Sequence, residues 1–511
     1  MATDLGIAYF DIFIIGGGIN GCGIARDAAG RGLTVCLAEK DDLASKASSG
    51  STKLVHGGLR YLEYYEFDLV RKALKEREVL WRLAPHIIYP MRFVLPHVAG
   101  MRPRWLLRLG LFIYDHLGGR RDLPATRSVA FSSDPTGNPL KSEIVSGFEY
   151  SDCWVDDARL TILNARDAAD RGATVLTRQK VVRAERENGV WVIHTQMANG
   201  ERQQVRARIL INAAGPWVSQ LAGSVIHDSD KRKLRLVRGS HIVVNKLFGH
   251  EQSYMLQNPD GRIVFVIPYE QDFTLIGTTD AEHEQSLEQI KIADDEARYL
   301  CDAVSQYFKE SVSTDDIVWS YSAVRPLFDD GQSDAKSVTR DYQIVTESDE
   351  GSPPLVSVLG GKITTYRKLA EDVLDEIARF IPNVPPTWSA SDCLPGGDFP
   401  HQEFNREVDK LKQAYPFLSE AHAHRLARLY GTRAKNILSD ARRIEDLGRL
   451  FGSSLYEAEV RYLIDHEWAR CAEDILWRRT KEGLRFSTEQ TDALNDYMSA
   501  NVIALSREAG P

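Results

Sequence analysis

Gly16-Gly17-Gly18-Ile19-Asn20-Gly21 follows the apolar run Asp11-Ile12-Phe13-Ile14-Ile15 and fits a GxGxxG turn. Such a turn between strand and helix presents backbone to a pyrophosphate. Gly16 permits the tight turn, Gly18 the close approach, and Gly21 the packing of helix on strand. The helix N-terminus adds its positive end. Glu39 closes a second apolar run 18 residues beyond Gly21, where a carboxylate accepts hydrogen bonds from an adenosine ribose. The chemistry is dinucleotide binding, with NAD and FAD both open. Residues 47–61 are rich in hydroxyls and glycine, then basic, and by spacing alone they read equally as a surface loop. No Ser-His-Asp order, carboxylate pair or metal-ligand spacing competes, so no metal is expected.

The elements that must position these residues follow from periodicity. Strand 11–15, helix 24–29 and strand 33–38 make a βαβ unit. A second cycle lies at helix 156–169 and strand 174–176, followed by a hairpin over 181–195 that turns at Glu187-Asn188-Gly189. Strand 208–212 leads into Ala213-Ala214-Gly215-Pro216-Trp217. From 234 to 279 short β-rich runs predict a mostly antiparallel region inserted into the α/β chain, with strands at 241–244, 262–267 and 273–277. Residues 329–337 read as a polar loop, 355–359 as a buried strand and 366–380 as a helix. The stretch 382–397 reads as a linker, and the charged, helix-periodic remainder as a separate helical domain without strands.

The fold class is therefore α/β: a Rossmann-like dinucleotide-binding domain, an inserted antiparallel β-rich substrate domain and a helical C-terminal domain. The expected boundaries are 8–80, 150–225 and 340–381 for the first, 81–149 and 226–339 for the second, and 398–511 for the third. The 511 residues carry 63 basic and 72 acidic side chains, a net charge of −9. That balance gives no global basic surface for nucleic acid, so none is expected as a partner. Six scattered cysteines without CxxC suggest a reduced, intracellular chain. The first ten residues hold no Lys or Arg, which argues against a secretory signal. No uncharged apolar run approaches the ~18–20 residues of a spanning helix.

The segments GGGINGCGIARDAAGRG, SSGSTKLVHGGLRYLE, GFEYSDCWVDDARL, INAAGPWV, IGTTD, WSYSAVRPL and GGKITTYRKLAE together resemble the flavin-dependent glycerol-3-phosphate dehydrogenases. This is the aerobic, quinone-reducing class within the glycine-oxidase/D-amino-acid-oxidase superfamily. The resemblance runs from Asp11 to about Trp477-Arg478-Arg479. Departures are small: Cys22 replaces a smaller residue, and Ser51-Thr52 stands for two serines. The resemblance implies FAD as cofactor. Its adenosine end would be held by Gly16, Gly18, Gly21 and Glu39, with Ser48, Ser49 and Thr52 near the pyrophosphate and flavin. Val181 would offer backbone to adenine, Ala213-Ala214-Gly215 a second contacting turn, and Gly360-Gly361-Lys362-Ile363-Thr364-Thr365 a third. Gly17, Ile19, Asn20, Lys40, Ser51 and Trp217 complete the expected cofactor set.

The implied reaction oxidises sn-glycerol 3-phosphate to dihydroxyacetone phosphate, with a membrane quinone as final acceptor. Holding a phosphate dianion favours Arg, and Arg325, Arg340, Lys362 and Arg60 with Tyr61 are the candidates. His56 is the natural base by its ordinary pKa, unless it is a structural histidine. A cationic Arg325 near the C2 oxygen would reduce the need for any base. The alternative function is an FAD-dependent oxidase of a glycerol phosphate, or of an amino or hydroxy acid, using O2.

A quinone acceptor requires contact with a bilayer. In 101–121, Trp105, Leu106, Leu109, Phe112 and Ile113 recur at helical spacing, with Arg104, Arg108 and Asp115 expected opposite and Arg102, Arg120 and Arg121 flanking. The expectation is a cytoplasmic, peripheral protein on an anionic lipid surface, with a homodimer left open. An ordinary core helix is the competing reading, and the region around Trp477-Arg478-Arg479 is the second anchor candidate.

Overall fold

The computed structural model describes residues 8–119, 122–226, 234–328, 341–348 and 351–508, with side chains placed to Asn501. Its first layer is an eight-stranded sheet. Tyr9–Ile15 sits at the centre, parallel to Val35–Ala38 on one side and to Arg202–Asn212 on the other. Thr174–Leu176 extends one edge and Leu355–Leu359 the other, both parallel, before Gln343–Glu347 closes the sheet antiparallel. The central strand buries Ile12, Phe13 and Ile14 completely, as a strand covered on both faces must. Ile19–Gly30, Asp157–Asp170 and Tyr366–Ile377 pack together on one face. On the other lies the hairpin of Gln179–Glu187 and Val190–Met197. Its two-residue turn puts Asn188 and Gly189 at φ +51° and +79°, as the sequence predicts for a primed turn.

A ten-stranded second sheet forms the roof. Leu234–Asn245 pairs antiparallel with both Phe273–Gly277 and the long Ile317–Phe328 strand. Ser253–Gln257 pairs parallel with Ile88–Pro96, one parallel junction in a mostly antiparallel sheet. Leu54–Val55 and Ser146–Val155 also pair in this sheet, so residues 54–55 and 150–155, assigned by sequence to the dinucleotide domain, physically bridge the layers. The expected polar loop at 329–337 lies outside the described residues.

The 382–397 stretch has no regular structure but is no loose tether. Arg26, 1% exposed, donates to the carbonyls of Ser389 and Asp392, and Leu394 N–H bonds Leu83. The C-terminal domain is helical around its own core of Val408, Leu426, Leu463 and Leu494. One correction applies: it also carries a small antiparallel pair, Leu450–Gly452 with Leu455–Tyr456. None of the six cysteines is in a disulfide, and no described helix is long and apolar enough to cross a membrane.

Candidate functional site

At the top of the central strand the chain turns through Gly16 at φ +113°, in left-handed territory that favours glycine. A Cβ there would meet the Ala213 carbonyl oxygen at 2.6 Å, and one at Gly21 would meet the Gly16 carbonyl oxygen at 1.9 Å. The turn, the second contacting segment and the helix are thus packed backbone to backbone. A Cβ at Gly18 would stand 3.1 Å from Ser48 Oγ, which accepts the Ile19 N–H at 2.9 Å. Glu39 accepts the N–H of Gly17 at 2.7 Å and of Asp41 at 2.8 Å. Burial pushes its carboxyl pKa up, and the two N–H donors oppose that.

These groups open onto a cavity of about 710 Å³ enclosed by both sheets. Its walls bring together Gly16 to Asn20, Glu39, Lys40, Ser48, Ser51, Thr52, Val181, Ala213 to Gly215, Trp217, Gly360, Gly361 and Thr364. His56, Arg60, Tyr61, Arg325 and Lys362 line the same space. Ser49 does not: its hydroxyl bonds the Lys46 carbonyl at 3.3 Å. Gly21 lies beneath the turn, outside the lining, and Arg340 lies outside the described residues.

The hydroxyl-rich segment is bolted to the start of the Asp157–Asp170 helix. Ser51 Oγ and the Lys53 ammonium both bind Asp157, at 2.8 and 2.7 Å. Lys53 is 1% exposed at φ +59°. Ser51 therefore lines the cavity while its hydroxyl is committed to the scaffold. Lys40 Nζ lies 4.5 Å over the Trp217 ring and pairs with Glu288 at 2.8 Å. Lys362 Nζ sits 3.9 Å over the Tyr61 ring, a cation–π contact on a cavity wall. Arg60 reaches the Tyr64 hydroxyl at 3.4 Å. The His56 backbone is latched to Thr364 Oγ1 at 3.3 Å, and its ring stands edge-on to Phe265.

Among the lining residues that sequence reasoning did not name, Asp280 and His241 bear most on the chemistry. Asp280 pairs with Arg325 at 2.6 Å, which tempers and orients the guanidinium. His241 lies 2% exposed, its Nε2 2.9 Å from Thr52 Oγ1 and its ring stacked on Tyr321 with centroids 4.8 Å apart. Burial, Lys53 and Arg325 hold its pKa well below the ordinary value, so it is neutral near pH 7. Its Nδ1 has no hydrogen-bond partner among the described residues. The IGTTD segment ends in Asp280 and offered a signal. His241 opened a run read only for its apolar content.

Two features of the 101–121 segment need correction. The helix spans Arg104–Leu117 and exposes Trp105, Leu109 and Phe112, by 69%, 47% and 52%. Leu106 and Ile113 are partly covered, and Asp115 faces inward, accepting the Thr126 N–H at 2.8 Å, rather than sharing the edge of Arg104 and Arg108. Arg120 and Arg121 lie outside the described residues. The second anchor candidate fails: Arg478 and Arg479 are buried and Trp477 stacks on Trp319 at 4.4 Å.

A glycine turn at a helix N-terminus, an acidic residue after the second strand and an extended cavity crossing to a second sheet fit a dinucleotide. The family model for FAD-dependent oxidoreductases matches residues 11–367, and that for the C-terminal domain of alpha-glycerophosphate oxidase matches 390–506. The chain belongs to the FAD-dependent oxidoreductases, and its cofactor is FAD. It is 52% identical to D-erythritol 1-phosphate dehydrogenase of Brucella abortus, over 97% of this chain and 99% of the relative. It is 48% identical to aerobic glycerol-3-phosphate dehydrogenase of Escherichia coli, over 96% and 97%. Among solved structures, glycerol-3-phosphate dehydrogenase from Bacillus halodurans complexed with FAD superposes with a TM-score of 0.74 at 26% identity, covering 97% and 94% of the two chains.

Proposed function

We propose that this enzyme oxidises sn-glycerol 3-phosphate to dihydroxyacetone phosphate and passes the electrons to a membrane quinone. The carrying observation is that Arg325, Lys362 and Arg60 line one cavity with His56, His241 and the three glycine-containing turns. FAD, when bound, supplies the acceptor for the C2 hydride. Arg325 and Lys362 hold the phosphate dianion, Arg325 with the planar fork that suits phosphate oxygens. His56 takes the C2 hydroxyl proton, and the cationic wall stabilises the oxygen as negative charge develops on it. Neutral His241 fixes the Thr52 hydroxyl beside them. In the same reading Gly18 faces the pyrophosphate, Asn20 contacts the cofactor beside the Gly360 turn, and Glu39, Lys40, Val181 and Trp217 face the adenosine end.

The Brucella relative favours a second substrate, D-erythritol 1-phosphate, which shares the terminal phosphate and adjoining secondary hydroxyl. The test is anaerobic titration of the flavin spectrum with each compound. Rapid bleaching by glycerol 3-phosphate supports the first reading, and bleaching by the tetritol phosphate alone transfers the substrate assignment. Fast peroxide formation in air would instead assign O2 as acceptor.

The lipid surface belongs to the same proposal. Trp105, Leu109 and Phe112 form an exposed apolar stripe beside exposed Arg108. The neighbouring 59–64 turn leads to Tyr65, 80% exposed, while Tyr64 and Glu66 reach the cavity lining. In this reading the apolar surface lies beside the part of the cavity lined by Tyr64 and Glu66, and a quinone would approach there from the cytoplasmic membrane face. The parent should float with anionic liposomes, and a variant with Arg104, Arg108 and Leu109 changed to Glu should not. Equal flotation removes this helix as the anchor. Sedimentation at several protein concentrations checks the homodimer.

A further inference from the structure

We propose that the helical C-terminal domain retains the flavin cofactor, with Arg478 and Arg479 clamping Asp42 and so closing the 39–46 loop on the glycine turn. The loop is wrapped around Gly17. Glu39 accepts the Gly17 N–H, and the Ala44 N–H donates to the Gly17 carbonyl at 3.1 Å. Ala44 adopts φ +60°, which a residue with a Cβ keeps only where its surroundings enforce it. Glu39, Lys40, Ala44, Ser45 and Lys46 all line the cavity.

Asp42 itself faces away from the cavity and is 2% exposed. Arg479 grips both its oxygens, with 2.8 Å from Nη2 to Oδ1, and Arg478 Nε adds a bond of 2.5 Å to Oδ2. Arg479 is fully buried and is itself held by the Glu467 carbonyl at 2.7 Å. The same segment braces the adjoining 178–181 stretch, whose Gln179 N–H bonds the Glu39 carbonyl at 2.8 Å. Asp474 binds Arg178 at 2.8 Å and Arg478 at 2.6 Å, and the Arg178 N–H donates to the Asp41 carbonyl. Arg178 directly precedes Gln179, Lys180 and Val181, which also line the cavity. One C-terminal segment therefore fixes two adjoining stretches of wall around the expected adenosine end.

An apolar interface would join the domains with less desolvation cost than buried charges do. What the ion pairs add is a fixed geometry for a loop that carries a strained residue. The interface also supplies its own control. Arg159 and Glu467 form an equally buried pair, 0% and 1% exposed, between the same domains, and neither lines the cavity.

The proposal rests on the glycine turn being the FAD site. Release of FAD is followed by the rise of its fluorescence at 25 °C, well below the melting temperature of each variant. Asp42→Asn and Arg479→Gln should release FAD at least tenfold faster than the parent. Arg159→Gln should lower Tm by a similar amount yet keep release within twofold. If Asp42→Asn fails to fold, Arg178→Ala removes the partly exposed arm of the brace and should speed release about threefold. Parental release rates in the clamp variants would overturn the proposal, and so would equal acceleration by Arg159→Gln at matched Tm. Retention of flavin by Gly18→Val would overturn the underlying site assignment instead, so the two failures are distinguishable.

Discussion

The side-chain amide of Asn20 donates to the carbonyl oxygen of Gly360 at 3.1 Å, joining the first and third turns of the cavity across 340 residues of chain. The amide oxygen is buried without a hydrogen-bond partner among the described residues, which suits an acceptor facing an O–H or N–H donor of a bound ligand. Asn20→Ala should weaken FAD binding about five- to tenfold, on the order of 1–1.5 kcal/mol for one hydrogen bond. Fluorimetric titration of the apoprotein with FAD checks this, and an unchanged affinity would leave the Asn20–Gly360 bond without a cofactor role.

Gly18→Val places a branched side chain against Ser48 Oγ, where a Cβ alone would come to 3.1 Å. It would also fill the space that a pyrophosphate needs. The variant should purify largely colourless. Glu39→Ala should be milder, weakening FAD binding by about 1.5–3 kcal/mol, the scale of a hydrogen bond to a charged group. It also frees the Gly17 N–H, so the absorbance ratio at 450 and 280 nm should fall in both variants, further in the first.

Arg325→Ala should raise KM and lower kcat, by roughly 2–5 kcal/mol in transition-state stabilisation, with normal flavin content. Part of that cost is Asp280 left beside the substrate phosphate without its cation. The double variant Arg325→Ala, Asp280→Asn should therefore recover some activity. Steady-state kinetics of the four proteins measure the coupling, and strictly additive effects would mean that Asp280 does not modulate Arg325.

His86 sets a pH dependence of stability. It is 0% exposed, both ring nitrogens lack hydrogen-bond partners among the described residues, and burial together with Arg159, Arg428 and Arg433 holds its pKa down to about 3. Between that value and the unfolded value of about 6.5, the unfolded chain binds a proton that the folded chain refuses. Stability contributed by this group is complete above pH ~6.5 and falls by about 1.4 kcal/mol per unit below it. From pH 6.5 to 5.0 the parent should lose about 1.6 kcal/mol more than His86→Leu. Urea melts at the two pH values give the comparison, and parallel losses would exclude His86 as the source.

What the sequence made legible is local. The glycine turn, the second strand ending near Glu39 and the Asn188-Gly189 hairpin each depend on residues within one supersecondary unit. Their conformations match expectation closely. The substrate side depends on distance. His241 reaches Thr52 across 189 residues, and Arg479 reaches Asp42 across 437. No spacing rule encodes such pairs, because strand order and domain docking create them. Asp115 failed for a related reason: helical spacing gives its angle on the helix, while the Thr126 backbone, packed alongside, decides which angle is buried.

The central strand has a temporal consequence. Tyr9–Ile15 leaves the ribosome early, but its neighbour Arg202–Asn212 emerges far later and the Gly360–Thr364 turn later still. At ~5–20 residues per second, roughly 20–70 s of synthesis separate the first cavity-lining turn from the last. The nascent chain carries a nucleotide-binding turn through most of its translation with no pocket around it. A product stopped before Gly360 would be unable to capture flavin however well its first βαβ unit folds. Flavin colour thereby reports that synthesis has passed the third turn, since the cavity is walled by all three.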